Sequence, residues 1–242
     1  MTAELFYVML FIVALLYSSV GHGGASGYLA LMAIYGISAA VTKPTALLLN
    51  LFVSLTSFIQ FSRGGYFNKK IFIPLVVASI PLAFLGGALN LQDHIYHKVL
   101  GVVLLIPIVR FLFYPNAEPD QMRSSAIVPS LIIGGLIGFL SGLIGIGGGI
   151  ILSPVLLLLR WTNQKETAAI SAAFIFVNSL SGLGGQLTRG IEFTPDMYVY
   201  VAVAFAGGVC GSYLGALRFN HTILKNILAF VLLLAAIKLI AA

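Results

Sequence analysis

Two glycine-rich stretches in this 242-residue chain hold the residue types best suited to binding chemistry. The first reads Val20-Gly21-His22-Gly23-Gly24-Ala25-Ser26-Gly27, and the second Ile144-Gly145-Ile146-Gly147-Gly148-Gly149. Each follows an apolar segment of helical length and precedes a short apolar one. Glycine bares the backbone and permits left-handed conformations. The N–H groups of Gly23, Gly24, Ala25 and Ser26, and of Gly147, Gly148, Gly149 and Ile150, would then open short helices. A helix N-terminus presents unpaired donors and partial positive charge, which suits an anion. Two such termini meeting from opposite halves of the chain would bind a small anion without any lysine or arginine. The competing reading is that these glycines only let helices pack closely.

Side chains that could complete such a site fall in two places. His22 stands inside the first break, where the second has Ile146. Its ordinary pKa of about 6.5 would add a switchable charge; the alternative is a neutral imidazole bonded to backbone at a helix end. The third apolar segment carries Thr45, Asn50, Ser54, Thr56, Ser57 and Gln60, and the eighth carries Thr167, Ser171, Asn178, Ser179, Ser181 and Gln186. Asn50, Gln60, Ser171, Asn178 and Gln186 are taken, with the break residues, as candidate substrate contacts. Such groups either line a polar path or bond across helices. Arg63 and Arg189 end these two segments and read first as orienting charges.

Several chemistries lack their residues. The carboxylates Glu4, Asp93, Glu118, Asp120, Glu166, Glu192 and Asp196 all fall at segment ends or in loops. Cation pumps place an acid in mid-span, so a cation antiporter is disfavoured. Four scattered histidines and the single Cys210 give no metal-site spacing and no intrachain disulfide. Neither a catalytic constellation nor a nucleotide-binding motif is present, so no enzyme and no cofactor are expected.

The elements that must position these residues follow from composition. The chain is 60% hydrophobic and 8% charged, with a mean hydropathy of +1.05. A soluble domain carries about 25% charged residues. The apolar stretches are continuous rather than alternating, so the expected fold is an all-α integral membrane protein and not a barrel. Its basic residues sit at segment ends, where they meet lipid headgroups, and the net charge of +6 is no nucleic-acid signal. Ten segments can be drawn, at about 4–21, 25–38, 43–62, 70–90, 95–114, 126–144, 149–160, 165–188, 195–217 and 222–241. The first is read as a retained helix, since no basic n-region precedes it. The second and seventh are too short for the roughly 20 residues of a full crossing. Eight to ten membrane segments are therefore expected, with short or broken helices at the glycine turns.

The halves repeat each other. Gly21 and Gly145 are 124 residues apart, Gln60-Phe61-Ser62-Arg63-Gly64 and Gln186-Leu187-Thr188-Arg189-Gly190 are 126 apart, and the pair His94, Lys98 lies 127 before His221, Lys225. Residues 1–114 and 126–242 thus read as two five-segment membrane repeats joined by a loop at 115–125. If all five segments cross, the second copy is inverted and the basic residues divide four against nine between the two sides; if the short ones dip and return, they divide seven against six. The positive-inside rule expects asymmetry, which favours the inverted arrangement with both termini outside. Two breaks in matching places of two halves point to a transport site. Gly207, Gly211 and Gly215 form a small-residue face for packing within the bundle, with a homodimer contact as the alternative. Trp161, Tyr66 and Tyr114 sit at segment ends as interfacial aromatics.

This ensemble resembles the TauE/SafE family of membrane permeases. The resemblance rests on the Gly-Xaa-Gly-Gly break after the first helix of each half, the short helix after it, the polar long helix ending near Arg-Gly, and Leu-Gly-Ala in the fourth long helix. Its clearest stretch is Gly142-Leu143-Ile144-Gly145-Ile146-Gly147-Gly148-Gly149, with Pro154 five residues later. The first copy departs from it, having His22 and, for the third glycine, Ala25. The resemblance implies a multi-pass protein of the bacterial inner membrane that moves small sulfur-containing anions: sulfite by export, or sulfonates and thiosulfate. A small-anion channel is the alternative.

Overall fold

The computed structural model describes residues 3–19, 24–113, 122–191 and 193–215, together with 233, 236 and 237. Those residues form nine helices and no strand: α1 (Ala3–Ser19), α2 (Ala25–Ile34), α3 (Ala39–Arg63), α4 (Lys69–Ala88), α5 (Asp93–Phe113), α6 (Ile127–Ile144), α7 (Gly149–Leu158), α8 (Gln164–Leu187) and α9 (Pro195–Gly215). Most of the expected tenth segment, His221, Lys225, Glu192, Tyr114, and most of the 115–125 loop lie outside the described residues. Helices α3, α4, α6 and α8 are long and apolar enough to cross a membrane. At 1.5 Å per residue, the ten-residue α2 and α7 span about 15 Å each, half of a hydrocarbon core.

Apolar side chains cover much of the described outer face, and the apolar interior also holds polar ones. Ile73, Val77, Ile80 and Phe84 on α4, and Val128, Ile132 and Leu136 on α6, are exposed at the three- and four-residue spacing of one helix face. In water such faces would drive association; against acyl chains they are at home. The buried polar residues concentrate on α3 (Thr42, Thr45, Asn50, Ser54 and Ser57) and on α8 (Thr167, Ser171, Asn178, Ser179 and Gln186).

Four pairings organise the bundle, one of them the antiparallel α4–α8 contact in which Gly87 faces the Gly182 carbonyl and Gly185 that of Phe84. Helices α4 and α6 run parallel in backbone contact: a Cβ at Gly134, Gly138 or Gly142 would meet the carbonyls of Leu75, Ser79 and Ala83 in turn. Helices α1 and α9 also run parallel, with Gly207 on the Phe11 carbonyl and Gly211 on that of Leu15. The described part of the small-residue face on α9 is therefore filled by α1. Helices α3 and α8 are antiparallel. The first turns of α3 meet the end of α8, where Lys43 and Arg189 feel each other's charge. Asn50 and Ser179 meet at Gly147, and Tyr66, just past α3, accepts a 3.1 Å hydrogen bond from Lys165 at the start of α8. Asn163 opens α8 with a reciprocal capping box, its side chain accepting from the Glu166 N–H at 2.9 Å while its own N–H donates to the Glu166 carboxylate.

Two boundaries differ informatively from the sequence reading. Helix α3 starts at Ala39, not at 43, because Gly36 takes a left-handed turn (φ 73) and the Ser38 carbonyl accepts from the N–H groups of Val41 and Thr42. Lys43 is thereby carried one turn inside the helix, and it is buried. Trp161 is buried as well: its N–H closes the end of α7 onto the Leu156 carbonyl, turning the ring inward instead of to the interface.

Candidate functional site

The second break is a compact irregular turn between two helices. Gly145 caps α6 in the left-handed region (φ 86), Gly147 (φ 75) follows the buried Ile146, and Gly148 (φ 77) is the N-cap of α7. Three left-handed residues in four positions require glycine, since a Cβ there costs about 1–2 kcal/mol each. Gly148 offers no side-chain cap, so the first amides of α7 keep their donors. At the first break Gly24 is likewise the left-handed N-cap of α2 (φ 80) without a side-chain cap.

Two side chains converge on the second break. A Cβ built at Gly147 would stand 2.7 Å from Asn50 Nδ2, 2.9 Å from Ile175 Cγ2 and 3.1 Å from Ser179 Oγ. Asn50 lies at the middle of the 25-residue α3 and is fully buried. Neither its Nδ2 nor its Oδ1 has a hydrogen-bond partner, and the buried Ser179 and Ser54 hydroxyls lack one too. A buried amide without partners costs about 1–3 kcal/mol, so native proteins rarely keep one unless something else uses it. Among the described residues the buried polar set contains no carboxylate. The groups around Gly147 are therefore amide and hydroxyl donors beside the positive end of α7, an arrangement that favours an anion of small size.

The other expected contacts divide by partner. Gly149 packs on Ile175 and the Ser171 carbonyl, and Gly148 on Phe174 and Ile137. Ser171 shares a 2.8 Å hydroxyl contact with Ser153, which also bonds the Gly149 carbonyl, so this pair braces the start of α7. Asn178 donates to the Phe174 carbonyl at 2.8 Å and keeps a free Oδ1. Gln186 is buried with Nε2 unpartnered, whereas Gln60 is exposed at the far end of α3, apart from this cluster. Ala25 is buried, and Ser26 donates to Tyr17 at 2.9 Å. Over Gly24 lies the buried Tyr28 hydroxyl, also unpartnered. His22 and Gly23 lie outside the described residues.

Most of the first break lies outside the described residues. The neighbours of the second break come from α3, α6 and α8. Sequence reasoning ranked Ser179 as merely one polar residue of the eighth segment, yet it stands at the break. It also set Lys43 at a segment end. The Lys43-Pro44 dipeptide concealed its depth, because a proline commonly marks a first helical turn. Among the described residues no group of His, Cys, Asp and Glu could hold a metal ion.

Comparison with known proteins bears on this geometry. The family model described as Sulfite exporter TauE/SafE matches residues 6–239. A probable membrane transporter protein of Sinorhizobium fredii is 33% identical over 243 residues, covering 96% of this chain and 96% of its own. A probable membrane transporter protein of Methanocaldococcus jannaschii is 29% identical, across 81% of this chain and 76% of its own. Sulfite exporter TauE/SafE family protein 5 of Arabidopsis thaliana is 29% identical over 96 residues, 40% of this chain and 21% of that protein. No solved structure matches the chain.

Proposed function

The chain belongs to the sulfite exporter TauE/SafE family, and from that premise we propose that it is a secondary transporter exporting a small sulfur oxyanion, sulfite or a related sulfonate or thiosulfate, across a bacterial inner membrane. The observation carrying this reading is the fully buried, unpartnered Asn50 amide, which meets the Ser179 hydroxyl at Gly147 where α7 begins. A tetrahedral or pyramidal oxyanion satisfies several donors at once. It gains from the α7 dipole, and among the described residues no buried carboxylate repels it.

Movement is assigned to two inverted repeats rocking about this site. Two observations support that arrangement. Exchanging the halves turns the α1–α9 pairing into α6–α4, and both are parallel with glycine-mediated backbone contact. The same exchange maps α3–α8 onto itself, and that pair is antiparallel, as inversion requires. An inside-negative potential drives an anion outward at about 2.3 kcal/mol per charge per 100 mV, so export needs no coupling ion.

Proteoliposomes loaded with sulfite test the proposal. Purified protein should give efflux that saturates with internal sulfite and accelerates when a potassium diffusion potential makes the lumen negative. No efflux above empty liposomes for sulfite, thiosulfate or a small sulfonate would sink it, and a flux that never saturates would convert the carrier into a channel.

A further inference from the structure

Lys43 is 7% exposed although it carries an ammonium, in a helix long and apolar enough to cross the bilayer. The exposed Lys69, Lys70 and Lys165 are the contrast: they stand at helix starts, where orienting charges belong. Among the described residues no carboxylate pairs with Lys43. Its charged neighbour is another cation, Arg189. Asp93, on the first turn of α5, is exposed and acts on Tyr96 instead. Its Nζ is not one of the fully buried atoms without a partner, so the ammonium is enclosed yet reachable, and ionisable residues so placed in membrane segments mark ion paths.

The surroundings hold Lys43 at the second break. Its Nζ lies 5.8 Å from the centre of the Tyr96 ring, within cation–π range. The Tyr96 hydroxyl donates 3.1 Å to the carbonyl of Ile144, the last residue of α6. A Cβ at Gly145 would stand 3.0 Å from the Lys43 carbonyl, so the two backbones touch at the turn. An aromatic face steadies a cation without neutralising it, which leaves the charge for a mobile partner.

We propose that Lys43 is an anion-contacting residue of the transport path: the migrating oxyanion is its countercharge at the α6–α7 turn, with Arg189 adding to the field. This rests on the oxyanion reading above and adds a full charge to a site otherwise made of dipoles.

The test compares K43Q and K43R with the wild type in sulfite-loaded proteoliposomes. A charge-assisted contact is worth roughly ten- to a hundredfold in affinity. K43Q should raise KM by about that factor with a smaller change in kcat, and K43R should stay within about threefold of wild type. A folded K43Q with the wild-type KM overturns the proposal. Should K43Q fail to fold, acetic anhydride labelling of the wild type decides: saturating sulfite should cut acetylation of Lys43 several-fold and leave Lys69 and Lys70 unchanged. Equal labelling with and without sulfite overturns it. If wild-type vesicles move no sulfur oxyanion, that reading alone fails. The labelling is then repeated with chloride, nitrate and phosphate; protection of Lys43 by one of them upholds its role, and protection by none overturns it.

Discussion

Replacing Asn50 by leucine should separate stability from transport. Both polar atoms of this side chain are buried without partners at the middle of α3. Retaining them costs about 1–3 kcal/mol. Leucine has nearly the same shape, and volume-conserving swaps in a packed interior cost less than about 1.5 kcal/mol. The missing Cβ of Gly147 leaves the amide room, since one built there would stand 2.7 Å from Nδ2. Set against each other, these costs place N50L between about 0.5 kcal/mol less stable and about 3 kcal/mol more stable than the wild type. On the soluble-protein scale for this size, each kcal/mol moves the melting temperature by about 2–4 °C. Transport should go the other way, with KM for sulfite rising at least about tenfold because a donor to a charged ligand is lost. Thermal unfolding in detergent and proteoliposome efflux on the same preparations read both quantities. An N50L protein that melts well below wild type while transporting normally would refute the reasoning, since Asn50 would then be structural.

Two further outcomes follow from local geometry. Gly147→Ala puts a methyl group 2.7 Å from Asn50 Nδ2 at a φ of 75, and should abolish efflux and cost about 1–2 kcal/mol in a melting assay. Asn163→Ala removes the reciprocal cap of α8 far from the break, and should cost about 1 kcal/mol while efflux per folded protein stays at the wild-type level.

Much of the architecture could be read from the chain because lipid imposes strong patterns. Continuous apolar runs gave the helices, and the start of α7 fell where Gly149 ends the glycine run. Legibility ended where tertiary contact decides. Asn50, Ser54, Thr45 and Ser181 look alike in sequence, but Thr45 bonds the Val41 carbonyl of its own helix, and Ser181 bonds Ile80 on α4. Asn50 and Ser54 have no partner at all. Gln60 and Gln186 open the like stretches Gln-Phe-Ser-Arg-Gly and Gln-Leu-Thr-Arg-Gly, yet only Gln186 is buried. Lys43 was concealed for another reason: the helix begins a turn earlier than its apolar run, so a residue read as interfacial lies inside.

The most direct test uses selenite, a heavier analogue of sulfite, and anomalous diffraction from crystals of the wild-type protein grown with it. The account predicts a selenium peak within hydrogen-bond reach of Asn50 and Ser179 at the N-terminus of α7. A peak elsewhere in the bundle, or none at a concentration that saturates transport, would contradict it.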